Sequence, residues 1–222
     1  MVMIIQTYGT MLIKAMGRTL LLCLLSLVFA TIIGMIFGLM NVGHNRVLNF
    51  IGTVYVDAVR GVPLLVLAYF IYFGIPQGIH SLGFSDFKMG PLVAGTITLS
   101  LNCGAYMAEI IRAGIQSVDR GQMEAGRSLG LSYGAGMALI VVPQAIRTMI
   151  PSIINQFIIT LKDTSILSVI AIPELTNVGK TIMGNTMKCL QTWAIIGVMY
   201  MAVIVTLSKI SKQVERRINR GR

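Results

Sequence analysis

The chain has 222 residues, 55% of them hydrophobic and only 12% charged, with a mean hydropathy of +0.79. A soluble domain usually carries about 25% charged residues, so too little polar surface remains for a water-facing globule, and the chain reads as a membrane protein. Its net charge of +10 does not point to nucleic acid, because six of the eighteen cations crowd the last fourteen residues and most others sit in short connections between apolar stretches, as expected beside an anionic leaflet.

Taken in chain order, residues 1–18 read as an amphipathic lead-in lying along the membrane surface. The first spanning segment is 19–40, a charge-free run longer than the apolar core of a cleavable signal and followed by no convincing cleavage site. Within it Ala30, Gly34 and Gly38 repeat at four-residue spacing, a stripe that lets two helices approach closely. Packing inside the subunit is the favoured reading of that stripe, with a dimer seam as the alternative. Segment 47–59 is expected to pack against a second span, 61–75, across the Pro63 break, and that span is expected to stop at Pro76. The third span is 91–111, the fourth lies within 147–172, and the fifth is 190–207. A spanning helix needs roughly 20 apolar residues, so about five transmembrane helices are expected, in an all-α, polytopic helical bundle of one domain.

Five crossings place the termini on opposite sides. The basic tail, 209–222, with Lys209, Lys212, Arg216, Arg217, Arg220 and Arg222, argues for a cytoplasmic C-terminus and hence an external N-terminus. On that topology Arg46, Arg60, Arg112, Arg120, Arg127 and Arg147 join the tail inside. Lys14, Arg18, Lys88, Lys180 and Lys188 fall outside, and Lys162 stays within the membrane. Lys14 and Arg18 alone pull the other way. Cys23, Cys103 and Cys189 show no CxxC or His/Cys grouping, so they suggest packing, with no disulfide framework or metal site. His44 and His80 are isolated loop residues.

Between the third and fourth spans, residues 117–132 are polar and punctuated. Asp119 or one of its neighbours suits the cap of a short helix carrying Gln122, Glu124, Ala125 and Leu129, and Gly130 suits the left-handed position that ends it. Ser132 then caps a second helix, expected to run to a break at Pro143. A connection that merely joined two spans would need none of this. Glu124 lies near enough to the helix start to favour the dipole, with a solvent-facing capping carboxylate as the plainer alternative.

Glu124-Ala125-Gly126, followed by Leu129-Gly130 and Pro143-Gln144, resembles the EAA loop of ATP-binding-cassette importer permeases. Arg60-Gly61-Val62-Pro63-Leu64, Ala105-Tyr106 with Glu109-Ile110-Ile111-Arg112, and Lys162-Asp163-Thr164-Ser165 resemble the polar amino acid permeases, which include glutamine, histidine, arginine and cystine uptake systems. The likeness covers about residues 10–215, with one departure at Gly126, where many members carry alanine. It implies the type I importer permease fold in a bacterial cell membrane, an ATPase-coupling role for Glu124, Ala125, Gly126, Leu129 and Gly130, two cytoplasmic ATPase subunits that use ATP and magnesium, a second permease subunit forming a homodimer, and an extracellular or periplasmic amino acid-binding protein. The chain itself is then expected to bind no cofactor, no metal and no nucleic acid.

Charges inside spans tend to face a cavity or a partner. Gln156, Thr160 and Asp163 recur at i, i+4 and i+7, as do Asn102, Tyr106 and Glu109 on the third span, so two polar stripes offer to line a path for a zwitterion. Asp163 offers a carboxylate to an ammonium group, and Thr164 and Ser165 offer hydroxyls. The resemblance implies that this neighbourhood touches substrate, and Gln156 leans toward a neutral polar amino acid such as glutamine. The alternative is structural: Asp163 and Lys162 neutralise buried charge, and Glu109 pairs with Arg112. Val178-Gly179-Lys180-Thr181 lacks the leading glycine of a phosphate-binding loop, Glu174 standing there, and no hydrolase or kinase signature appears, so no catalytic residue is assigned. An ion-gradient-driven transporter would be expected to show internal repeats and would have no use for the 117–132 helix.

Overall fold

The computed structural model describes residues 1–43, 45–84 and 86–219, so His44 and the tail residues Arg220 and Arg222 lie outside the described residues. The described chain is helical: α1 (Val2–Val42), α2 (Arg46–Gly61), α3 (Leu64–Ser81), α4 (Pro91–Gln116), α5 (Arg120–Ser128), α6 (Tyr133–Ile170), α7 (Leu175–Thr186) and α8 (Cys189–Asn219). Among the described residues α1, α3, α6 and α8 are long and apolar enough to cross a membrane by length and composition. α4, read above as the third of five spans, is 26 residues long but too polar to join them on composition. Its polarity is turned inward: fourteen of its residues are buried, including Thr98, Ser100 and Asn102.

α4 is the pillar on which the rest is assembled, and its pairing with α1 shows how the chain runs. The Ser100 hydroxyl donates to the Ser26 carbonyl at 3.3 Å. A Cβ added at Gly34 would stand 2.5 Å from Met107 Cβ, and one at Gly38 would stand 2.9 Å from Ile111 Cβ. Contacts rise together along both helices, so α1 and α4 are parallel. The Ala30, Gly34 and Gly38 stripe is therefore a seam inside the subunit. Burial of Cys23, Leu27 and Ala30 with Cys103, Met107 and Leu161 continues it into α6.

Parallel α1 and α4 require the chain to return between them, and α3 does so, its Ala68 and Ile71 meeting Ala94 and Leu99 near the start of α4. α6 returns likewise: Met149 meets Gly114 near the end of α4, while Leu167 and Ile170 join Ala94 near its start. The C-terminal ends of α1 and α4 and the short helix α5 thus share one end of the bundle, and α7 occupies the other.

Four expectations are corrected by the helices themselves. α3 does not stop at Pro76, and α6 does not break at Pro143, because each proline is preceded by a five-residue π-turn, Phe70–Gly74 and Met137–Val141. A proline ring strikes the carbonyl four residues earlier. Those carbonyls belong to Tyr72 and Leu139, both inside the wider π-turns, where the extra residue moves them aside. Residues 2–18 form no separate surface helix. α1 is unbroken for 41 residues, about 61 Å at 1.5 Å per residue, because Ile4, Leu12 and Ala15 are buried against Leu175, Val178, Ile182 and Ile196 of α7 and α8. Finally, α2 packs on α1 and α4 and not on α3. Tyr55 stacks on Phe37 at 4.0 Å and donates to the Leu101 carbonyl at 2.8 Å, and the chain turns at extended Val62 and Pro63.

α7 is anchored by a buried carboxylate. Glu174, 0% exposed, caps α7 by accepting from the Thr176 and Asn177 amides at 2.8 and 2.6 Å, and it also accepts from the Tyr200 hydroxyl at 3.0 Å. Burial pushes this carboxyl above its ordinary range, while the three donors hold it down. The Leu175 amide next to it donates to the Thr19 hydroxyl of α1 at 3.0 Å. Glu174→Ala would remove the shared acceptor of the two capping amides and the Tyr200 hydroxyl, at a cost of about 1–3 kcal/mol, so the thermal unfolding midpoint of the purified chain should fall. An unchanged midpoint would remove Glu174 from this anchoring role.

Candidate coupling helix and translocation residues

α5 is built by the local chemistry expected of it. The Asp119 carboxylate accepts from the Gly121 amide at 2.7 Å, capping a helix that begins at Arg120. Its far end closes as a Schellman turn: Gly130, at φ +86°, donates to the Arg127 carbonyl at 3.0 Å, and Leu131 donates to the Gly126 carbonyl at 3.2 Å. The Ser132 hydroxyl then accepts from the Ala135 amide at 3.3 Å, starting α6. Glu124 stands in the second turn, and the first turn carries no acidic residue. The dipole acts within the first turn, so Asp119 at the cap takes the role expected of Glu124.

This short helix is fixed to α6. Gly126 lies against Ile140, whose Cδ1 would stand 2.5 Å from an added Cβ, and Gly136 receives Met123. The Gln144 amide donates to the Gln122 side-chain oxygen at 3.3 Å. Met123 also packs against the cluster of Ile111, Ile115, Val141, Ala145 and Met149, which joins α4 to α6. The outer face carries Glu124, Ala125 and Leu129, and Leu129 is 85% exposed. A force applied to that face reaches α6 through packed side chains.

The two polar stripes do not face each other. Gln156 and Thr160 of α6 are 5% and 1% exposed and turn toward the Cys103 thiol of α4. Gln156 Nε2 and Thr160 Oγ1 face that thiol and no other hydrogen-bonding group. Asp163, one turn further on, is half-buried, and the two ion-pair contacts among the described residues do not include it or Lys162. Thr164 is buried and Ser165 half-buried, their hydroxyls donating to the Leu161 and Lys162 carbonyls at 2.7 Å. Asn102 is buried on α4, but the rest of its stripe runs out to Arg60. There Arg112 binds Glu109 bidentately, at 3.0 Å from Nε to Oε2 and 2.5 Å between the other pair. The Arg60 guanidinium sits 5.1 Å from the Tyr106 ring centroid and 3.9 Å from Glu109. Glu109 is thus a clamp between α2 and α4. Cys103, expected only to pack, is the residue of α4 that meets the α6 stripe. No periodicity within α4 marks it, since it lies one residue, about 100° of helix, from Asn102.

The chain is similar to known proteins along most of its length. Residues 30–220 match the family described as binding-protein-dependent transport system inner membrane component. The chain is 35% identical to the glutamine transport system permease protein GlnP of Escherichia coli K12 over 208 residues, 94% of this chain and 93% of that one. It is 34% identical to the L-cystine transport system permease protein TcyL of Bacillus subtilis, over 91% of this chain and 85% of that one. A crystal structure of an amino acid ABC transporter with histidines has a chain that superposes with a TM-score of 0.89 at 35% identity, covering 96% of each. Continuous likeness across the α5 knob and the helices around it settles membership: this chain belongs to the inner membrane components of binding-protein-dependent transport systems.

Proposed function

We propose that this chain is the permease subunit of an ATP-driven amino acid importer, forming the translocation path while a separate ATPase hydrolyses ATP with magnesium. The observation that carries the reading is α5, a doubly capped helix presenting Leu129 to solvent while welded to α6 by Gly126, Met123 and Gln122. Such a knob suits the surface cleft of a nucleotide-driven partner, whose closure it would pass on as helix motion. Glu124, Ala125, Gly126, Leu129 and Gly130 are the coupling residues, Gly126 and Gly130 by shaping the knob and the others by facing the partner.

In the full assembly two ATPase copies meet two copies of this permease, and an external amino acid-binding protein delivers substrate. The bundle end carrying α5 faces the cytoplasm with the C-terminus, and the N-terminus lies outside, in line with the cations gathered at that end. Asp163, Gln156, Thr160, Thr164, Ser165 and Asn102 form the substrate-facing set. Their largely uncharged polar character, with the likeness to a glutamine permease, favours a neutral polar amino acid, glutamine first. The test is reconstitution with the ATPase and binding protein in lipid vesicles, followed by a panel of amino acids. Glutamine should stimulate hydrolysis most. Stimulation by arginine alone would overturn the substrate assignment.

A further inference from the structure

We propose that the groove between α1 and α4, at the bundle end away from α5, holds an anionic phospholipid, with an acyl chain in the groove and the headgroup at Lys14, Arg18 and Lys88. The groove has a volume of about 430 Å³ and is lined by Leu25, Phe29 and Ile33 of α1 and by Leu92, Val93 and Leu101 of α4. Phe29, Leu92 and Val93 are 51%, 45% and 55% exposed, so its walls are open to whatever surrounds the bundle. Thr96 and Ser100 also line it, but their hydroxyls donate back into α4, to the Leu92 carbonyl at 2.9 Å and the Thr96 carbonyl at 2.6 Å. Walls of this kind suit an apolar chain.

The charge above the groove selects the occupant. The contacts of Ser26 with Ser100 and of Gly34 with Met107 set the register of the two parallel helices, which places Leu92 level with Arg18 to within about a turn. Residues 7 and 11 positions apart on a helix return to within about 20° of one direction, so Lys14 and Arg18 lie on the Leu25 face of α1. Lys88 stands just before α4 begins, and all three cations are exposed. None takes part in the ion pairs among the described residues. The first turn of α4 carries no acidic residue, and with exposed Asp86 counted the group is still net positive. From Arg18 to Ile33 the helix rises about 22 Å, the depth of one leaflet with its headgroups. A phosphate at the cations and a chain in the groove match that length. Two copies of this chain paired symmetrically through the same groove would instead set like charges at one level. Lys14, Arg18 and Lys88 also run against the gathering of cations at the α5 end, and a bound anion accounts for their place. On the topology proposed above, the lipid belongs to the outer leaflet.

The test needs neither ATP nor substrate, so its failure leaves the functional reading standing. The full chain is purified in a mild detergent, and its binding of phosphatidylglycerol and of phosphatidylcholine is followed by native mass spectrometry. Phosphatidylglycerol should fill a saturable site, one per chain, at least about tenfold more tightly than phosphatidylcholine. The Lys14→Gln, Arg18→Gln, Lys88→Gln triple variant should lose that preference, whereas Lys14→Arg with Lys88→Arg should keep it. Val93→Trp, which fills the groove from an exposed position, should weaken phosphatidylglycerol binding at least about tenfold with all three cations in place. The thermal unfolding midpoint of each variant should stay unchanged. Equal affinity for the two lipids, or a preference that survives the triple variant, overturns the headgroup assignment. Undiminished binding by Val93→Trp overturns the groove as the seat of the chain. A change of oligomeric state in Val93→Trp, read by light scattering, identifies the groove as an interface between copies and overturns lipid occupancy.

Discussion

Leu129→Glu should abolish coupled transport while leaving the permease folded. Leu129 is 85% exposed at the tip of α5, so its replacement costs the isolated chain little. Docked in a partner's apolar cleft, a leucine is worth about 1.5–3 kcal/mol in burial alone, and a carboxylate there is an unpaired buried charge. A loss of about 2–4 kcal/mol corresponds to roughly 30- to 1,000-fold in affinity for the ATPase. Co-purification should fail and substrate-stimulated hydrolysis should vanish, with the unfolding midpoint unchanged. Full association and hydrolysis in the variant would show that the knob is not the docking element.

The second large effect is expected at Asp163. This half-buried carboxylate has no ion-pair partner among the described residues and stands at the junction of the α-helical and 3₁₀ parts of α6. If it receives a substrate ammonium group, Asp163→Asn removes the charge while preserving shape, and a charge-assisted hydrogen bond becomes a neutral one. A change of about 1.4 kcal/mol is tenfold, so uptake at subsaturating substrate should fall at least about tenfold with assembly intact. A merely structural carboxylate predicts the reverse pattern, with normal uptake per folded complex. Initial rates of labelled amino acid uptake, normalised to assembled complex, distinguish the two.

What the sequence made legible was local chemistry. Asp119, Gly130 and Ser132 act within three or four residues of themselves, so the capped α5 helix was readable from spacing alone, and Glu109 with Arg112 is a one-turn pair. The small-residue stripe was readable as a seam because only close helix packing needs Gly34 and Gly38. The misreadings come from effects that span neighbouring turns or separate helices. Pro76 and Pro143 look like breaks until a π-turn upstream accommodates them. The rotation that brings Cys103 to Gln156 and Thr160, with Asn102 on a stripe leading toward Arg60, is set by α1 and α2 packing on α4 and leaves no trace in α4's own periodicity. Glu174 reads as a failed phosphate-loop position, yet it is a buried anchor whose third donor, Tyr200, lies 26 residues away.

Everything in the functional reading depends on work entering this bundle from another polypeptide through α5. The most direct measurement compares uptake against a concentration gradient by vesicles holding the purified permease alone with vesicles holding it together with its ATPase, ATP, magnesium and the binding protein. Accumulation should occur only in the second set and should disappear with Leu129→Glu. Accumulation by the permease alone, driven by an ion gradient, would contradict the account.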